Sequence, residues 1–276
     1  MITMFSINSN KLDVQQFPDK TPLLRLPKDI AFCYPQLAET RTIMIEWNYD
    51  NDAELFQLIC LTRALQDIGY THIDLIMPYI PNARMDRVKE SDEVFTLKYF
   101  AEIINGLKFD NVYVLDAHSN VSLALIDRVR ATSVTKYIRN AIVQIGETDN
   151  LTMFFPDEGA MKRYSSIAKY FGVPYAFGIK TRDWRTGDIK GLTLAGQTDE
   201  IKQKNILIID DISSKGGTFY HSAKALKDAG ADDIYLYVSH CEDTILKGDL
   251  INSGLMKKIF TTDSIYRAEH PLIQVL

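Results

Sequence analysis

The sequence predicts an α/β fold of mostly parallel sheets with helices on both faces. Two observations carry this. Short β-branched runs alternate with amphipathic helical stretches along most of the chain, the pattern of βαβ units. A helix–glycine–strand unit also occurs twice. Taken in order, Thr42–Trp47 and Ile73–Tyr79 read as strands around a helical pattern at 52–68. A second helical pattern at 95–107 leads to the strand Val112–Asp116, and a third at 134–145 to Leu151–Phe155. The pattern at 160–171 precedes Tyr175–Lys180, and the strand Ile206–Asp211 precedes a helix at 217–229. Ile234–Ser239, a helical stretch at 243–252 and Ile259–Thr262 complete the series.

The repeated unit is RALQDIGYTHIDLIMP (63–78) against KALKDAGADDIYLYVS (224–239), which share Ala64/Ala225, Leu65/Leu226, Asp67/Asp228, Gly69/Gly230, Ile73/Ile234 and Leu75/Leu236. Any α/β protein can converge on a helix closed by glycine before a strand. The wide separation of the two copies also fits a duplicated domain, with a seam near Ile145–Asn150. The expected division is therefore 1–147 and 148–276, with the last residues packing back on the first domain. Thr181–Glu200 is polar and punctuated by glycine, and is expected to be a long connection acting as a lid.

Composition narrows the function. The chain has 276 residues, 46% hydrophobic and 24% charged, which excludes a disordered chain. No apolar run reaches the ~20 residues of a membrane span. No signal peptide is visible in MITMFSINSN. Cys33, Cys60 and Cys241 are isolated and odd in number, so a reducing, cytoplasmic setting is expected rather than a disulfide framework. With 31 basic and 36 acidic residues, the formal charge of −5 does not favour a nucleic acid partner.

The segment ILIIDDISSKGGTFYHSAKAL (206–226) carries the most chemistry. A hydrophobic strand ends in Asp210 and Asp211, and a small turn with Gly216 and Gly217 enters a helix past Thr218. Ligands of parallel sheets bind at such a strand end, and unpaired N–H groups with the helix dipole hold phosphate there. Two carboxylates beside that turn suit sugar hydroxyls or Mg²⁺ rather than phosphate itself. An ordinary strand–turn–helix with solvated acids is the alternative. A Walker-type NTPase is excluded because no glycine precedes a lysine anywhere, and no G-x-G-x-x-G supports a dinucleotide site.

Hydrophobic-DD-x₅-G-T resembles the phosphoribosyl pyrophosphate (PRPP) signature shared by type I phosphoribosyltransferases and PRPP synthetases. Three further segments resemble the synthetases, the ribose-phosphate pyrophosphokinases. They are MPYIPNARMDR (77–87), VLDAHSN (114–120), and FPDEGAMKR (155–163) followed by IKTR (179–182). The resemblance implies two tandem type I phosphoribosyltransferase-like domains, ATP and Mg²⁺ as co-substrate and cofactor, and a homo-oligomer, dimeric or larger. It implies that Arg84, Arg87 and His118 contact ATP, with Phe17 and Asp19 of a loop reaching a neighbour's ATP. His118 and Asp157 would contact metal, although Asp157 also reads as a helix N-cap. Lys180, Arg182 and His118 would be catalytic. Asp210 and Asp211 would hold ribose, and Ser214, Lys215, Gly216, Gly217 and Thr218 its phosphate. His72, His221, His240 and His270 receive no role.

The chain departs from the family pattern in several places. Met85 stands where the family has glutamine, VKESDEVFTLKYF keeps only Thr96 and Lys98 of its usual features, and Thr21 replaces an acid in QFPDKT. The chain is also about forty residues shorter than typical members, so the family's allosteric regulation is not carried over. The phosphate loop, D-D-x-x-D-T-x-G-T in the family, has Ser214 for the acid and Lys215 for the threonine. That shifts its charge by about +2, toward a more anionic 5-substituent. The expected reaction moves the β,γ-diphosphoryl group of ATP to ribose 5-phosphate, with ADP-ribose as the alternative acceptor. A PRPP-consuming transferase and a non-catalytic synthetase-associated subunit are further readings.

Overall fold

The computed structural model describes residues 2–6, 12–33, 35–146, 149–182 and 189–276. It divides into two compact units, Met1–Ser133 and Val134–Leu276. The helical pattern at 134–145, expected at the end of the first domain, is thus grouped with the second unit.

In chain order the first unit comprises β1 (Ile2–Ser6), β2 (Asp13–Gln16), β3 (Pro22–Arg25), α1 (Lys28–Ala31), α2 (Pro35–Ala38), β4 (Thr42–Glu46), α3 (Ala53–Ile68), β5 (His72–Ile76), α4 (Thr96–Gly106), β6 (Val112–Leu115), α5 (Asn120–Leu125) and β7 (Val129–Thr132). Its five-stranded sheet, in the order β1-β4-β5-β6-β7, is parallel throughout, and β2 and β3 form a separate hairpin. The core is built from Ile43, Ile45, Leu75 and Val114 of the strands against Leu58, Leu61 and Leu65 of α3 and Leu97, Phe100 and Ile104 of α4. On both helices these residues recur at three- and four-residue spacing, which places them on one stripe.

The second unit comprises α6 (Thr135–Ile145), β8 (Leu151–Phe155), α7 (Glu158–Phe171), β9 (Tyr175–Arg182), β10 (Ile189–Gly196), β11 (Asn205–Ser213), α8 (Gly217–Asp228), β12 (Ile234–Cys241), α9 (Asp249–Asn252), β13 (Lys258–Thr261) and β14 (Ile273–Val275). Its seven strands lie in the order β10-β9-β8-β11-β12-β13-β14, and only the β10–β9 pair is antiparallel. Every residue of β8 and β12 is buried, as central strands covered on both faces require. The chain's last strand, β14, pairs with β13 of this sheet.

The repeated segment forms the same unit twice. α3 closes on Gly69 (φ 108°) before β5, and α8 is followed by Gly230 (φ 89°) before β12. Both glycines adopt the left-handed conformation that reverses a helix into a strand without steric cost. Each of these strands pairs in parallel with the strand before its helix, β5 with β4 and β12 with β11.

Two expectations need correction. The stretch Thr181–Glu200 is not mainly a loop, since β9 runs through Arg182 and β10 folds back on it, with a 3₁₀ turn at Thr198–Glu200. Its glycines and charges disguise a strand stabilised by pairing at the sheet edge. The remaining lid residues, 183–188, lie outside the described residues. The helical stretch at 243–252 is broken into a 3₁₀ turn (Asp243–Lys247) and α9, which meet at Gly248.

Among the described residues no helix is long and apolar enough to cross a membrane.

The turn from β4 into α3 is sealed by its own side chains. The buried Glu54 carboxylate accepts hydrogen bonds from the Trp47 indole (2.9 Å) and the Asp50 backbone N–H (3.0 Å), and Asn51 Oδ1 accepts from the Ala53 N–H (3.1 Å). Replacing Glu54 with alanine leaves two donors without their acceptor, so it should cost about 2–3 kcal/mol. Urea unfolding of the variant against wild type measures this.

Candidate active site

The carboxyl ends of β8 and β11 carry the acids singled out in the sequence. Asp157 follows β8 as the N-cap of α7, where its Oδ1 accepts from the Ala160 N–H at 3.0 Å. The helix-capping reading of Asp157 is therefore realised. Asp210 and Asp211 lie near the end of β11 and differ in environment. Asp211 is 4% exposed and forms an ion pair with Arg163 of α7 at 3.1 Å. Asp210 is partly buried and accepts from the Asp211 N–H through Oδ1 at 3.0 Å. Burial comes first among the causes that push its carboxyl well above the ordinary 3.8, followed by the charge and side-chain hydrogen bond of Asp211 and the charge of Asp157. These three acids therefore share one electrostatic site.

The turn after β11 is open where the one after β4 is sealed. Gly216 adopts φ 76° at the N-cap of α8, and no side chain caps this helix. The Tyr220 N–H bonds back to the Gly216 carbonyl, so the N–H groups of Gly217, Thr218 and Phe219 precede the first turn's own acceptors. A Cβ added at Gly217 would meet nothing within 4 Å, which leaves open space over those amides. Lys215 is exposed at this turn. Uncapped amides, a helix dipole and a cation make the turn fit for an anion.

The turn rests on the segment after β12. Ser214 Oγ donates to Glu242 Oε2 at 2.7 Å, and Thr244 Oγ1 donates to the same oxygen at 3.0 Å. A Cβ on Gly248 would overlap the Lys215 carbonyl, and one on Gly216 would meet the Leu250 side chain at 3.0 Å. Neither Glu242 nor Thr244 is among the residues the sequence pointed to, and Arg163 figured there only as the last letter of a motif.

Lys180 and Arg182 lie on β9, in register with Leu192 and Ile189 of β10. In the first unit, the loops holding Arg84, Arg87 and His118 follow β5 and β6, which are adjacent and parallel, so they emerge at the same, carboxyl end of the sheet. Arg84 and Arg87 are exposed, Arg87 lies 4.0 Å from Asp86, and His118 is partly buried. Asp116, just before it, adopts φ 44°, an uncommon backbone for a residue with a side chain. Phe17 and Asp19 sit in the β2–β3 turn. There the Thr21 hydroxyl donates to Asp19 Oδ1 at 2.6 Å and lowers the Asp19 pKa, with help from the Thr21 N–H. Thr21, which departs from the family pattern, thus orients the acid beside it.

Comparison with known proteins agrees with this architecture. No family model matches the chain. Ribose-phosphate pyrophosphokinase of Thermococcus kodakarensis is 26% identical over 235 residues, 83% of this chain and 77% of the relative. That of Campylobacter jejuni is 28% identical over 226 residues, covering 80% and 71%. That of Sulfurisphaera tokodaii is 24% identical over 267 residues, covering 95% and 87%. The chain is thus distantly similar, over most of its length, to the ribose-phosphate pyrophosphokinases. The crystal structure of phosphoribosylpyrophosphate synthetase from Mycobacterium smegmatis has a TM-score of 0.81 at 18% identity, covering 100% of this chain and 94% of that one. Both units accordingly have the type I phosphoribosyltransferase fold, two mostly parallel sheets flanked by helices.

The raised Asp210 pKa has a stability consequence. The folded protein holds this proton more tightly than the unfolded chain, so Asp210 makes stability fall as pH rises from 3.8 through the raised folded value. Above that value the whole penalty persists. Asp210→Asn should therefore raise the neutral-pH melting temperature and flatten this decline. Thermal denaturation from pH 4 to pH 8 measures both.

Proposed function

We propose that this protein is a diphosphokinase that moves the β,γ-diphosphoryl group of ATP to the anomeric hydroxyl of ribose 5-phosphate, giving PRPP and AMP. The observation that carries this reading is the uncapped α8 N-terminus at the end of β11, with Asp210 and Asp211 before it and Lys215 on it. The 5-phosphate would take the free amides of Gly217 and Thr218 and the Thr218 hydroxyl. Asp210 would accept from the ribose hydroxyls. Asp211 would do so only by sharing its carboxylate with Arg163.

The hydroxyl attacks the β-phosphorus in line, the bond from that phosphorus to the α-phosphate oxygen breaks, and charge builds on the departing AMP. Positioning and charge neutralisation supply most of the acceleration in such transfers. Lys180 and Arg182 would meet the developing charge. Arg84, Arg87 and His118 would bind the nucleotide, and Phe17 and Asp19 would serve the ATP of a neighbouring copy.

Mg²⁺ suits these donors. Among the described residues no cluster of three or more His, Cys, Asp or Glu side chains forms an all-protein cage. Mg²⁺ is commonly held by one or two carboxylates together with substrate phosphates, a role open to Asp157 and Asp210. When bound it would neutralise phosphate charge.

ADP-ribose is the second acceptor to consider, because Lys215 offers an exposed cation where the family has threonine. The deciding assay is mass spectrometry of products from ATP, Mg²⁺ and a panel of 5-substituted riboses. AMP with PRPP is the expected result, and AMP with ADP-ribose alone would select the second acceptor. No AMP with any acceptor would leave a PRPP-consuming transferase or a non-catalytic subunit. Lys180→Ala should lower AMP release by about 10²–10³-fold, as loss of one transition-state charge contact does. A wild-type rate in that variant removes Lys180 from the mechanism.

A further inference from the structure

The phosphate turn is held from one side by a single segment. Ser214 is bonded to Glu242, the Lys215 carbonyl lies against Gly248, and Gly216 lies against Leu250. Three consecutive residues of the turn thus meet three points of the chain between 242 and 250. The Glu242 N–H also donates to the Ser213 carbonyl at 2.9 Å, which anchors that segment to the end of β11. The turn is therefore shaped before any anion arrives.

Glu242 has a second significance. The family loop carries an acid where this chain has Ser214, so the sequence alone suggests that the turn has lost a negative charge. A carboxylate nevertheless stands 2.7 Å from the Ser214 hydroxyl, supplied by a residue 28 positions further along. An aspartate at 214 with the serine's side-chain direction would extend its carboxylate toward the same spot.

We propose that Glu242 is the positioning residue of the sugar-phosphate turn, standing in space where the missing acid stood in sequence. It orients the Ser214 hydroxyl and, with Thr244 and Gly248, fixes the main chain that presents the amides of Gly217 and Thr218. Preorganisation of this kind tightens binding by removing the cost of ordering the loop. The proposal rests on the phosphate-binding reading of α8. It also halves the apparent charge change of the turn, leaving about one extra positive charge, that of Lys215.

The test is calorimetric binding of ribose 5-phosphate, with steady-state kinetics alongside. Glu242→Ala should weaken ribose 5-phosphate binding and raise its KM by about tenfold or more, while the KM for ATP stays within about twofold. Glu242→Gln keeps an acceptor oxygen and should stay within about threefold of wild type. Ser214→Asp alone sets two carboxylates against each other and should bind worse than Glu242→Ala. The double variant Glu242→Ala/Ser214→Asp should recover most of the loss. Thr244→Val should shift affinity in the same direction by less, and it stands in for Glu242→Ala if that variant does not fold.

Unchanged affinity in Glu242→Ala, or a double variant no better than Ser214→Asp, overturns the proposal. So does a wild-type protein that binds neither ribose 5-phosphate nor inorganic phosphate. Normal binding without AMP formation would instead overturn the diphosphokinase reading and leave this one standing.

Discussion

Asp211 is almost wholly buried at the carboxyl end of a central strand, and its charge is tolerable there because Arg163 of α7 reaches it. Removing either partner from such a pair leaves an uncompensated charge in a poorly solvated place. The pair ties the β8–α7 unit to β11, and so fixes where Asp157, at the start of α7, lies relative to Asp210. With Asp211 matched by a cation, the strain of three neighbouring acids falls on Asp210, and a guest supplying a cation or hydroxyl donors relieves it. Under the proposed function, the acids that make this end of the sheet costly would be the ones that hold the substrate.

The turn after β11 completes the candidate site by the opposite means. It is lined by backbone, glycine and one cation, and it offers donors that the chain itself leaves uncapped. Its shape is imposed by the segment between β12 and α9, where Gly248 is obligatory because its neighbour is a main-chain carbonyl. The break in the expected helix at 243–252 is a direct result of that close approach. A regular helix carrying a side chain there could not lie against Lys215.

Legibility in the sequence followed physical type. The β8 and β12 strands were legible because burial on both faces demands an unbroken apolar run, and β4 because its alternate residues enter the core. β10 and β14 were not, since edge strands owe their conformation to a pairing partner rather than to their own composition. The hairpin of β2 and β3 was missed for the same reason. Asp157, Asp210 and the Gly216–Thr218 turn were legible because a strand end, a cap and a helix start are local patterns. Glu242 was invisible because its partner lies 28 residues away and meets it only through the parallel pairing of β11 and β12. Arg163 was in plain view as a motif letter, yet its partner could be named only from the fold.

The sealed turn of the first unit contrasts with the open turn of the second. Where α8 leaves its leading amides uncapped, the Ala53 N–H of α3 is taken by Asn51 Oδ1, and the Glu54 carboxylate holds the Trp47 indole and the Asp50 N–H just before the helix. The first unit's turn is thus closed by its own side chains. Under the phosphate-binding reading, each chain would then accept a single phosphorylated sugar, which frees the corresponding rim of the other half to evolve toward a different guest.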